Sequence, residues 1–329
     1  MPDDVVRAGA LTKAYDGFVA VDGIDLHVAR GECFGMLGPN GAGKTSTMRM
    51  IGCVTPVTSG ALTVLGTDVS APGAGRRIKA HLGVVPQEDS LDDELTVMEN
   101  LVVYARYFGI RSIEARRRAV EHLEFMSLAD RADAKVRTLS GGMKRRLVIA
   151  RALVNDPEVV LLDEPTTGLD PQARHHIWDR LRSLKAAGAT LVLTTHYMEE
   201  ATQLCDRLVI MDHGRVLVEG APRELVRRCA RRHVVEVPRS VLRGRALPSL
   251  DTETSDVIDL YDRVLVHSDD GRAVLSTLTQ SGVDVDDVYV RPASLEDVFL
   301  ALTGRDLLDT GDADPGGDRE PAHSGGEPS

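Results

Sequence analysis

Apolar side chains in the first two thirds of the chain follow two alternating rhythms. Cys33 to Leu37, Val159 to Asp163 and Thr190 to His196 have the length of strands, and the last two are near-continuous apolar runs. Such runs belong to parallel sheets covered on both faces. Between them the period lengthens. The stretch Ala173 to Ala187 repeats apolar residues at Ile177, Leu181 and Leu184 and stops at Gly188, which predicts a helix with one core face and a glycine C-cap. Placed between two buried strands, it reads as the crossover of an α/β fold. Helical periodicity also covers Met98 to Phe108 and Ile113 to Met126, so a helical subdomain is expected at about 88–150, set into a unit that runs over 1–225.

Beyond that unit the pattern becomes a small α+β domain, expected at 226–305. Strands are predicted at His233 to Val237, Val264 to His267 and Asp287 to Val290, and helices at Arg272 to Gln280 and Ser294 to Leu302. In the last helix Leu295, Val298, Phe299 and Leu302 form one apolar stripe, and Ser294 and Asp297 have capping-box-like spacing. The stripe either closes the core of its own domain or also steadies a contact with another subunit. Residues 306–329 hold eight Gly or Pro, seven acids and one arginine, a composition with too little apolar surface to offset chain entropy. They are expected to be a disordered acidic tail.

Composition changes this picture little. The 329 residues are 43% apolar and 27% charged, enough for a two-domain globular chain with a real core. The net charge of −11 argues against a nucleic-acid partner, and over half of it lies in the tail. No stretch has the 18 or so uncharged apolar residues of a spanning helix, and the first ten residues lack the pattern of a signal peptide. A cytoplasmic protein is expected. The four cysteines are widely spaced and read as buried thiols, not as a metal or redox pair.

The chemistry is concentrated in two motifs. Gly38-Pro39-Asn40-Gly41-Ala42-Gly43-Lys44-Thr45 fits the phosphate-loop pattern, directly after an apolar strand and before the helical run Ser46 to Cys53. Its glycines let main-chain N–H groups wrap phosphates, the helix presents its positive end, Lys44 reaches the β- and γ-phosphates, and Thr45 offers a hydroxyl to Mg²⁺. Val159 to Leu162 then lead into Asp163-Glu164. Asp163 would hold Mg²⁺, and Glu164 would polarise an attacking water.

Leu139-Ser140-Gly141-Gly142-Met143 resembles the LSGGQ signature of the ATP-binding cassette (ABC) ATPases, with Met143 in place of the usual glutamine. That resemblance implies a RecA-like phosphate-loop NTPase core with antiparallel β and α-helical subdomains. It also implies that the signature acts in trans, on ATP held by a second ATPase subunit, expected here to be an identical chain. Further matches give Gln87 as the Q-loop residue that senses Mg²⁺ and water, Asp170 as the D-loop residue at the dimer seam, His196 as the switch histidine on the γ-phosphate, and Tyr15 as the ring stacked on adenine. Ser46, closing the loop, joins the nucleotide-binding set.

Longer segments narrow the likeness. Residues 194–201, 212–215 and 294–304 are similar to the drug-export ATPases of the daunorubicin-resistance type, and Leu95 to Ile110 resembles nodulation-factor export ATPases. Both belong to the ABC-2 group. The resemblance implies an ATP hydrolase that powers a separate ABC-2 permease exporting a lipophilic drug, antibiotic, glycolipid or saccharide, and is held through it on the inner face of the cell membrane. A ribosome- or DNA-acting relative would carry two cassettes or a long coiled coil, whereas this sequence has one phosphate loop, one signature and no sustained heptads.

Overall fold

The computed structural model describes residues 4–242, 246–250 and 255–303. The tail expected at 306–329 lies outside the described residues. In chain order, β1 (Asp4–Tyr15) and β2 (Phe18–Ala29) form a hairpin, and β3 (Cys33–Leu37) leads into α1 (Lys44–Ile51). Next come β4 (Ser59–Val64), β5 (Thr67–Asp68), α2 (Ala74–Lys79), β6 (Leu82–Val85), α3 (Val97–Tyr107), α4 (Ser112–Phe125) and α5 (Gly141–Leu153). The chain continues through β7 (Val159–Asp163), α6 (Pro171–Ala186), β8 (Thr190–Thr195), α7 (Met198–Leu204), β9 (Arg207–Asp212), β10 (Arg215–Gly220) and α8 (Pro222–Cys229). It ends in β11 (His233–Pro238), α9 (Arg239–Leu242), β12 (Ser255–Asp259), β13 (Arg263–Ser268), α10 (Gly271–Gln280), β14 (Tyr289–Pro292) and α11 (Leu295–Thr303).

The central sheet has the order β10-β9-β3-β8-β7-β6, parallel except for its edge strand β10. Its apolar runs divide residue by residue between two cores. Val159 and Leu161 of β7 pack with Phe34, Met36 and the second sheet, whereas Val160 and Leu162 pack with the helices on the other face. This two-sided burial is why β7 and β8 lack polar alternation. The second sheet, β2-β1-β4-β5, is antiparallel. Its strands were not individually legible, because register shifts in the β1–β2 and β1–β4 ladders break the period of two.

Register brings the motifs to one end of the central sheet. Leu37 of β3 pairs with Thr195, and Asp163 pairs with Thr194, so the phosphate loop, Glu164 and His196 all leave neighbouring strands at their carboxyl ends. This is where open α/β sheets place their ligands.

The C-terminal sheet, β12-β13-β11-β14, carries α10 through Val274 and Leu278. Its last helix departs from the expected stripe. Leu295, Val298 and Phe299 enter the large core shared with α5, α6 and α7, and Leu300 packs on Val234 and Leu265 of the C-terminal sheet. Leu302, expected in the stripe, is 40% exposed. The helix is therefore wedged between two surfaces, and its buried face turns from one to the other. Asp297, itself buried, accepts from the Ser294 N–H at 2.7 Å and from both ends of the Arg291 guanidinium at 2.7 and 2.9 Å. Only half of a capping box forms, since the Ser294 hydroxyl donates to Asp297.

Phe299 is fully buried, so Phe299→Ala should destabilise the chain by about 3–5 kcal/mol, whereas Leu302→Ala should change stability by less than about 0.5 kcal/mol. Chemical denaturation of the two variants checks this; equal losses would contradict the wedge.

Candidate nucleotide site

The loop between β3 and α1 is held shut by its own backbone and by one lysine. Gly43 adopts φ +99°, and a Cβ there would lie 2.4 Å from the Ala20 carbonyl oxygen, so the close approach of the loop to β2 admits no side chain. Lys44 is buried and donates to the carbonyls of Gly38 and Pro39 at 2.7 and 2.9 Å. Burial lowers its pKa, and the nearby Glu164 and Asp163 carboxylates partly restore it. Asn40, Gly41, Ala42, Gly43, Lys44, Thr45 and Ser46 line a cleft together with Phe18, Ala20, Gln87 and Glu164.

At the end of β7, Asp163 Oδ1 accepts from the hydroxyls of Thr194 at 2.5 Å and Thr45 at 3.2 Å. Glu164 follows with φ +45°, a left-handed conformation that costs a residue other than glycine about 1–3 kcal/mol. The turn points its carboxylate into the cleft. There Oε1 lies 3.9 Å from Lys44 Nζ and 3.2 Å from His196 Nδ1, while Oε2 accepts from Thr167 at 3.1 Å and Gln87 at 3.5 Å. Burial alone would raise the Glu164 pKa, but His196, Lys44 and Thr167 outweigh it and hold the carboxyl below its ordinary value. The group is thus an ionised carboxylate that can accept a hydrogen bond from water beside a phosphate-binding loop.

Gly141, Gly142 and Met143 line a second cleft with Ser140, Arg146, Gly168, Leu169 and Asp170. Ser140 caps α5 by accepting from the Met143 N–H, and Asp170 caps α6 by accepting from the Ala173 N–H at 2.9 Å. Two helix N-termini therefore open on one face, where N–H groups and dipoles favour an anion. No residue lines both clefts, and Leu139 is instead buried in the core. Within one chain the signature residues do not line the cleft of the phosphate loop.

Some placements were not legible in the sequence. Tyr15 is not among the residues lining the first cleft; its ring lies 4.6 Å from Lys13 Nζ, and its cross-strand partner Phe18 lines the cleft instead. The Asp16-Gly17 turn is the signal that could have placed Phe18 beside Tyr15. Arg145 is buried and joins α5 to both ends of the site, donating to the carbonyls of Pro86, Gln87, Asp163, Glu164 and Pro165.

Comparison with known proteins gives a consistent pattern. Residues 21–167 match the family model described as ABC transporter. The Nod factor export ATP-binding protein I of Burkholderia pseudomallei is 50% identical over 303 residues, covering 90% of this chain and 96% of that protein. Its counterpart from Paraburkholderia xenovorans is 47% identical over 312 residues, covering 94% of this chain and all of the relative. Among solved structures, the dimeric post-hydrolysis state of the ATP-binding cassette MJ0796 bound to ADP and Pi superposes with a TM-score of 0.61 at 29% identity, covering 66% of this chain and 98% of that one. CbiO1 from Clostridium perfringens gives a TM-score of 0.64 at 28% identity, covering 69% and 92%.

The Gly43 contact makes a direct prediction. Gly43→Ala should weaken binding of a fluorescent ATP analogue at least about tenfold, because a clash with backbone cannot be relieved by rotating a side chain. Unchanged affinity in an equilibrium titration would show that the loop does not need this approach.

Proposed function

The chain belongs to the ABC transporter family of ATP-binding proteins, and on that premise we propose that its ATP hydrolysis drives export through an ABC-2 permease carried on a separate chain. The likeness to Nod factor export ATP-binding proteins over nine tenths of the chain carries this reading. The cargo is assigned to the class of lipophilic drugs, antibiotics, glycolipids and saccharides. No helix among the described residues is long and apolar enough to cross a membrane. Tyr107 and Ile113, 82% and 89% exposed around the α3–α4 turn, support a docking surface for the permease, which would hold the chain at the inner face of the membrane.

In this reading the N–H groups of residues 40–45 bind the ATP phosphates and Lys44 bridges the β- and γ-phosphoryl groups. Thr45, Asp163 and Gln87 form a hard-oxygen donor set that fits Mg²⁺, which would neutralise phosphate charge there. Glu164 orients and polarises the attacking water, and His196, 3.2 Å from that carboxylate, contacts the γ-phosphate. The signature cleft, with Ser140, Gly142 and Asp170 on its rim, meets the phosphates bound by a second copy, so that two chains enclose two sites.

The test is the separation of binding from turnover. Glu164→Gln should bind ATP with near-parental affinity while kcat falls about 10²- to 10⁴-fold. Turnover at the parental rate in that variant would remove Glu164 from the reaction.

A further inference from the structure

Glu200 is the third residue of α7 and lies four residues after His196, and its side chain is completely buried. Carboxylates are seldom found in such a place without a task, because an apolar side chain of similar size would fill it without the cost of desolvation. The same oxygen, Oε1, accepts from the Thr166 hydroxyl at 2.7 Å and from Trp178 Nε1 at 3.0 Å. Thr166 stands in the turn between Glu164 and Asp170, and Trp178 stands on α6, the helix that Asp170 caps. One acceptor thus joins three segments: the loop leaving Glu164, the helix that begins at Asp170, and the helix that follows His196.

A second tie joins two of the same segments. The Arg174 guanidinium of α6 lies 4.7 Å from the centroid of the Tyr197 ring, next in sequence to His196, and the Tyr197 N–H is fixed on the Thr195 hydroxyl at 2.9 Å. The helix that Asp170 caps is thus in direct contact with the residue that follows His196.

We propose that Glu200 is a positioning residue for hydrolysis, which holds the Asp170 loop and the His196 segment in one register so that closure at the dimer seam sets the histidine over the γ-phosphate. The inference rests on the ATPase reading of the site. Burial raises the Glu200 pKa against the hydroxyls of Thr166 and Thr195, the Trp178 N–H and the Arg174 charge, all of which favour the carboxylate. The bonds from Thr166 and Trp178 both end on Oε1, so one amide carbonyl oxygen in that position can accept the same pair. Glutamine should replace Glu200, and methionine, similar in size but without the oxygen, should not.

Steady-state ATPase kinetics and melting temperatures of Glu200→Gln, Glu200→Met and Thr166→Val, beside the parent chain, test the proposal. Glu200→Met should lose at least about tenfold in kcat with KM within about twofold, and Glu200→Gln should stay within about threefold of the parent. Thr166→Val should lower kcat to a lesser degree, and adding it to Glu200→Met should cause little further loss, since the Thr166 bond is already one of the two that Glu200→Met removes. A folded Glu200→Met chain with parental kcat, or Glu200→Gln as impaired as Glu200→Met, overturns the inference. If Glu200→Met does not fold, Thr166→Val decides: parental kcat overturns the inference, and lowered kcat at unchanged KM supports it. A parent chain without ATPase activity would overturn the reading of the site itself, whereas an active parent matched by an equally active methionine variant overturns this inference alone.

Discussion

Arg145 uses all five of its N–H donors on main-chain carbonyls. Nε–H reaches Pro165, one terminal nitrogen reaches Pro86 and Gln87, and the other reaches Asp163 and Glu164. Burial opposes its charge and lowers its pKa, with the carboxylates of Asp89 and Asp163 counteracting. Those carbonyls lie at and just beyond the ends of β6 and β7, where strand pairing gives out. One guanidinium thus fixes Gln87, Asp163 and Glu164 relative to each other and to α5, whose N-terminus is the signature. No shorter or less branched side chain could reach all five.

Around this anchor the site has one strained residue and two buried charges. The left-handed turn at Glu164 is tolerated because its N–H is held by Thr194 and its carbonyl by Arg145. Lys44 is kept 3.9 Å from that carboxylate in the loop between β3 and α1. Glu164 and Lys44 therefore line one cleft together with the rest of residues 40–46. The second cleft has two helix N-termini but none of the phosphate-loop residues, which is why we propose that each site is completed across two chains.

Much of this was legible because it depends on local rules. Cys33–Leu37 and Val159–Asp163 are strands at the residues their apolar runs predict, and the phosphate loop, Asp163, Glu164, Gln87 and His196 lie at or just beyond the carboxyl ends of neighbouring strands. What escaped depends on tertiary contact. Arg145 and Glu200 look like surface charges on helices until packing buries them. Phe18 takes its place only through the register of a hairpin whose bulges hide its period. The stripe of α11 stops short of Leu302 because a helix wedged between two surfaces does not keep one face.

The central claim, a site built from the phosphate loop of one chain and the signature of another, has a direct measurement. Lys44→Ala disables the phosphate loop, and Ser140→Arg puts a long cation where the signature should approach the γ-phosphate. In a verified mixed dimer of the two variants, one composite site carries both defects and the other carries neither. ATPase activity should therefore return to roughly half the parental rate per dimer if the sites act independently, although each homodimer is inactive. Mixed dimers as inactive as the two homodimers would contradict the claim.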